Sequence, residues 1–138
     1  SGKNNEIDKL IEVLKLNNIK SIKLPVSAPF HCQLMNKATE IMKNEIEKVN
    51  FEDSKNILIS NVTGEEILNK DQLKILLIQQ IENRVRWRES VINMIDNGVN
   101  NFIEIGPGKV LSGLIKRINK DVKVQSINNE DDIKKLSI

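Results

Sequence analysis

The sequence has no tyrosine, one tryptophan and three phenylalanines, so aromatic residues make up only 3% of its 138 residues. Proteins that hold single-stranded nucleic acid stack bases on aromatic side chains, and there are too few here for such a platform. One cysteine and one histidine exclude a disulfide framework and a zinc cage built from four Cys/His ligands. Neither sign of charge dominates, with 21 Lys+Arg against 19 Asp+Glu and a formal net charge of +2. Basic and acidic residues are intermixed, whereas tracking a phosphate backbone needs basic charge in clusters. No apolar run approaches the ~20 residues of a membrane span. Ser1-Gly2-Lys3-Asn4-Asn5 lacks the basic-then-apolar order of a signal peptide. Neither nucleic acid nor membrane is therefore expected as a partner, and the expected compartment is the cytoplasm. The abundance of Asn, Ile and Lys over Arg suits an AT-rich genome, which makes the plastid or apicoplast of an AT-rich eukaryote the alternative.

What is present is an ordinary globular mixture, 39% hydrophobic and 29% charged. Its apolar spacing alternates between helix and strand periods. Ile7, Leu10, Ile11 and Leu14 fall at helical intervals, with Asn17-Asn18 as a stop. Ser21 to Val26 is short and β-branched and reads as a strand, after which Pro25 and Pro29 break any regular continuation. Leu34, Met35, Ala38, Ile41, Met42 and Ile46 form a second helical stripe. Ile57 to Asn61 reads as a strand, buried on both faces if parallel. Helices are predicted over 72–82, 87–97 and 110–118, strands over 101–105 and 122–127, and a terminal helical turn over 131–136. Strand-then-helix alternation predicts an α/β fold with a mainly parallel sheet.

Several groups could carry chemistry. His31 is the only imidazole and lies between two prolines and a helix start, a junction that holds a side chain rigidly and leaves it facing a cleft. Cys32 adjoins it, but catalytic pairs are neighbours in space and seldom in sequence, so Cys32 is read as a small packed residue at the helix start. Gly106-Pro107-Gly108-Lys109 is no P-loop: the pattern needs Gly at 103 and Ser or Thr at 110, where Ile103 and Val110 stand. Those glycines are read as a tight strand-to-helix turn whose backbone N–H groups offer a generic anion site. Arg84, Arg86 and Arg88 around Trp87 read as a solvated helix start with the tryptophan as anchor. Lys116, Arg117 and Lys120 complement the negative end of their helix. No serine sits in a G-x-S-x-G elbow, since Ser27 follows Pro25 by two places and Ser112 follows Val110.

Three stretches together are specific: LPVSAPFHCQLM from Leu24 to Met35, VRWRESV from Val85 to Val91, and EIGPGKVLSGLIKRI from Glu104 to Ile118. In identity, order and separation they resemble the C-terminal portion of the malonyl-CoA:acyl-carrier-protein transacylases of type II fatty-acid synthesis. The resemblance implies a parallel-sheet, hydrolase-like α/β core, with residues 1–24 finishing a ferredoxin-like small subdomain and 25–138 forming the C-terminal part of the core. It implies a ping-pong acyl transfer in which a serine of a G-H-S-x-G elbow takes malonyl from coenzyme A and a histidine acts as base. His31 matches that histidine and Gln80 matches the residue whose main-chain carbonyl orients it; Arg84 stands where many members have proline. Phe30, just before the histidine, matches a substrate-side position and suits malonyl. Lys116 and Arg117 would form a basic rim for the acidic acyl carrier protein. The serine elbow, the arginine that pairs with the malonyl carboxylate and a glutamine-bearing oxyanion loop are expected in the N-terminal half of the same enzyme, which is thus an expected partner beside malonyl-CoA and the carrier protein. The chain alone would then be inactive. No metal and no cofactor is implied. The rival readings are an acyltransferase segment of a polyketide synthase and a non-catalytic interaction protein derived from the same half.

Overall fold

The stripe of Ile7, Leu10, Ile11 and Leu14 produces helix α1 (Asn4–Leu16), and the chain stops it as expected. Asn18 takes a left-handed backbone, φ 56°. Its N–H then donates to the Lys15 carbonyl, and the Ile19 N–H donates to that of Leu14. This paired closure satisfies carbonyls that the helix end would leave bare. The computed structural model describes Ser1–Leu136, and the chain forms two compact units, Ser1–Val85 and the part from Arg86 on.

In the first unit a 3₁₀ turn (Gln33–Met35) leads into α2 (Asn36–Lys48), which packs on α3 (Lys70–Gln79). The Asn69 side chain accepts the Gln72 N–H at 2.9 Å and so starts α3, two residues before the predicted start. The helix ends earlier than predicted as well: the Ile81 and Glu82 N–H groups donate three residues back, to the Ile78 and Gln79 carbonyls, so the last turn tightens out of the α form. The two strands predicted here do not form. Ser21 to Val26 is irregular: the Val26 N–H folds back onto the Leu24 carbonyl around Pro25, a tight turn that removes the segment from any ladder. Ile57 to Asn61 makes one antiparallel bridge, Ile59 to Glu66, and Ile57 is 72% exposed. β-branched residues make a strand only when neighbouring strands cover them. Beyond the bridge, a turn through Ser60 and Gly64 (φ 78°) reverses the chain, with the Gly64 N–H on the Ser60 carbonyl.

The second unit follows the alternation read from the sequence. α4 (Trp87–Asp96) precedes β1 (Asn101–Ile105), α5 (Val110–Ile118), β2 (Lys123–Ile127) and α6 (Glu130–Lys134). The two strands pair in parallel with Phe102 opposite Val124, so β1, α5 and β2 form a βαβ unit, and the α/β class with a parallel sheet holds. Its core is Val91, which has no exposed surface, with Phe102, Ile115 and Val122. Trp87, Met94, Ile95, Ile118 and Val124 pack around it. Phe102 and Glu104 face the covered side of β1, whereas Ile103 and Ile105 lie exposed on the other. Lys109 caps α5 with no side-chain bond. Glu104 caps it from the strand: its carboxylate accepts the N–H groups of Leu111 at 3.1 Å and Ser112 at 2.8 Å.

Two outcomes follow for this unit. Phe102→Ala should lower its stability by about 3–5 kcal/mol, and Ile105→Ser, at an exposed site, by less than about 0.5 kcal/mol. Urea unfolding followed by the fluorescence of Trp87, the sole tryptophan, reads both. The Glu104 carboxyl titrates below the ordinary carboxylate range, chiefly because the Ser112 hydroxyl and then the Ser112 N–H bond to its charged form. A lowered native pKa contributes stability above the unfolded value, and that stability disappears as pH falls through the native one. Glu104→Gln should therefore be less stable than the parent near neutral pH and show a flatter decline as pH falls below about 4; parallel decline of the two proteins would refute the capping role.

Candidate active site around His31

His31 sits in the first unit on a backbone of φ 62°. This left-handed conformation is uncommon for a residue with a side chain, and His is among the types that adopt it most readily. What holds it there is the turn after α3. The His31 N–H donates to the Ile81 carbonyl at 3.2 Å. The ring Nδ1 lies 2.9 Å from the Gln80 carbonyl oxygen and 3.1 Å from that of Asn83. A carbonyl only accepts, so Nδ1 carries the proton in these bonds, and Nε2 of the neutral ring keeps its lone pair. The ring is exposed. A lone pair held in one direction and open to solvent is what a general base requires.

The structure thus brings together His31 and Gln80, which lie 49 positions apart. Arg84 in the following loop does not displace the Gln80 carbonyl from this position. Phe30, beside His31 in the chain, is 49% exposed. Cys32 is half-buried and its thiol donates to the Pro29 carbonyl at 3.2 Å, as suits a packed residue at the helix start. Two contacts to His31 were not foreseen: the Ile81 and Asn83 carbonyls. Main-chain oxygens belong to every residue and have no signature in a sequence.

The remaining groups belong to the second unit. The Lys116 ammonium donates to the Val122 carbonyl at 2.6 Å and the Lys120 carbonyl at 3.1 Å, so it closes the α5–β2 loop as well as carrying charge. Arg117 is exposed in the last turn of α5. In the Gly106-Pro107-Gly108 turn, both glycines have positive φ, 140° and 94°. The Gly106 N–H donates to the Ile127 carbonyl, and the Gly108 N–H to the Asn128 side chain. With Glu104 on the next N–H groups, the anion site expected at this helix start is filled by the chain's own carboxylate. Among the described residues no group of three His, Cys, Asp or Glu is placed to hold a metal ion, and no helix is long and apolar enough to cross a membrane.

No family model matches the chain. Individual proteins do. It is 39% identical over 134 residues to the malonyl CoA-acyl carrier protein transacylase of Bacillus subtilis, covering 96% of this chain and 42% of that protein. Against the same enzyme of Staphylococcus aureus it is 41% identical over 135 residues, covering 97% and 44%. Among solved structures, the malonyl CoA-acyl carrier protein transacylase of Clostridium perfringens superposes with a TM-score of 0.88 at 40% identity, over 94% of this chain and 41% of that one. A malonyl-transacylase in complex with the acyl-carrier protein of a type II polyketide synthase superposes with a TM-score of 0.89 at 29% identity, over 96% and 43%. In sequence and in fold, over nearly its whole length, the chain is a homologue of the malonyl CoA-acyl carrier protein transacylases, and it spans a little over two fifths of their length.

Proposed function

We propose that the chain is the base-bearing part of a malonyl-CoA:acyl-carrier-protein S-malonyltransferase of fatty-acid biosynthesis. The observation that carries this reading is the His31 ring, fixed through Nδ1 on the Gln80 carbonyl, in a chain about 40% identical to transacylases. In the proposed reaction Nε2 takes the proton of a serine hydroxyl supplied from outside these 138 residues. The serine oxygen attacks the malonyl thioester carbonyl, and coenzyme A leaves as a thiol after receiving that proton. In the second half Nε2 takes the proton of the carrier protein's phosphopantetheine thiol. The thiolate attacks the malonyl ester, and the serine recovers its proton. The cycle is balanced with neither metal nor redox cofactor.

Two features support a partner that supplies the serine. The sequence contains no G-x-S-x-G, and large apolar side chains stand exposed in both units, Ile57 at 72% and Ile105 at 80% among them. Exposed apolar surface of this kind is what an interface covers. We assign that cover to the remainder of the enzyme. For the carrier protein we propose Arg117, with the Lys116 charge behind it, as part of the docking rim; a structural relative of the chain has been solved in complex with the acyl-carrier protein of a type II polyketide synthase, and acidic carriers are steered by basic surfaces.

The test is malonyl transfer by the enzyme that joins this chain to its serine-bearing part, read as the mass gain of the carrier protein. His31→Asn tolerates the left-handed backbone and removes the base, so kcat should fall by about 10²–10⁴-fold. Arg117→Glu should raise KM for the carrier protein and flatten its salt dependence while leaving KM for malonyl-CoA unchanged. Unchanged kcat in the first variant would overturn the assignment of the base, and unchanged KM and salt dependence in the second would overturn the docking rim.

A further inference from the structure

The two carbonyls at Nδ1 belong to one turn, and two asparagine side chains tether it. Asn83 is bound twice to the same oxygen: its backbone N–H donates to the Gln79 carbonyl at 3.0 Å, and its side-chain Nδ2 donates there at 2.7 Å. On the opposite side, Asn61 Nδ2 donates to Gln80 Oε1 at 3.3 Å. Asn61 itself lies in a hydrogen-bonded turn. It follows Ser60, a buried residue whose hydroxyl oxygen accepts the N–H groups of Val62 at 3.1 Å and Thr63 at 3.4 Å. Asn61 and Gln80 also line a shared groove with Leu58, Ile59, Leu73, Leu76 and Leu77.

A hydrogen bond weakens steeply once its distance and angle leave a narrow range. The Gln80 and Asn83 oxygens lie at 2.9 and 3.1 Å from Nδ1, so a shift of about half an ångström in the turn would break one or both. An imidazole whose Nδ1–H loses its acceptors is free to carry its proton on Nε2 instead, and that tautomer has no lone pair on the exposed side. We infer that Asn61 and Asn83 are positioning residues: their side chains hold the turn's carbonyls against His31 and thereby keep Nε2 unprotonated. The consequence for catalysis rests on the transacylase reading; the control of the tautomer does not.

Because the chain has one histidine, the ring nitrogens can be observed without overlap. The experiment is the long-range ¹H–¹⁵N correlation spectrum of the 138-residue chain, labelled with ¹⁵N-histidine, above the titration of the ring. The parent should show a pyrrole-like Nδ1 and a pyridine-like Nε2. Asn83→Ala and Asn61→Ala should each move both nitrogens toward intermediate shifts, as the Nε2–H form becomes populated. Asn61→Asp should restore the parent pattern, because its carboxylate accepts a bond from the Gln80 amide once that amide turns over. Both asparagines are exposed, where truncation costs little stability. Should Asn83→Ala nevertheless unfold, the Asn61 pair decides: a mixed tautomer in the alanine variant beside a single one in the aspartate variant supports the inference. Parent shifts in both alanine variants, or in Asn61→Ala alone where Asn83→Ala unfolds, would overturn it. A joined enzyme without malonyl transfer, whose tautomer still responds to these variants, would remove the transacylase reading and leave the tethering intact.

Discussion

The bond from His31 Nδ1–H to the Gln80 carbonyl sets what the first unit can do. An imidazole has two nitrogens and, when neutral, one proton to share between them. A carboxylate partner would also direct that proton, but it would add a negative charge beside the ring. A main-chain carbonyl directs it with a dipole alone. The α3 turn exists in the form needed for this because its residues return their own hydrogen bonds to Gln79. The left-handed backbone at His31, fixed by the Ile81 carbonyl, brings the ring to meet it. A ring of fixed orientation is thus built from one side chain and three main-chain oxygens, all within Ser1–Val85.

The second unit depends on a different device. Its core is small, with Val91, Phe102, Ile115 and Val122 as its buried members, and small cores leave little margin. Polar closure supplements it. Glu104 binds the start of α5, Lys116 binds the loop at its end, and the Ser112 and Ser126 hydroxyls meet at 2.8 Å between helix and strand. Glu104 and Ser126 tie the helix to β1 and β2, and Lys116 ties its end to the loop before β2, so α5 is anchored at both ends as well as along its apolar face.

The parts that could be read from residues alone are those whose cause is local. α1 and α5 follow their apolar stripes, and α5 lies over the predicted 110–118. The strands at 101–105 and 122–127 are realised because they have each other; β2 starts one residue late at Lys123. Ser21–Val26 and Ile57–Asn61 have equally β-branched sequences and no ladder among the described residues, since strand formation depends on a neighbour that composition does not reveal. The site divides along the same line. His31 stood out as the only imidazole, whereas Gln80 was reached through the family resemblance, because the oxygen that matters there is the one every residue shares. Nothing in the residue types foretold the Asn83 carbonyl or the commitment of Lys116 to the α5–β2 loop.

The carboxylate on the start of α5 has a bearing on ligand discrimination. Glycine-rich turns that open onto a helix attract phosphoesters by default, and cells are full of nucleotides and sugar phosphates. Here the negative charge is already in place, supplied by residue 104 of the same chain. A diphosphate approaching this turn meets repulsion instead of free N–H groups. The Gly-Pro-Gly corner can therefore bend the backbone as sharply as a nucleotide loop does without acquiring a nucleotide loop's appetite.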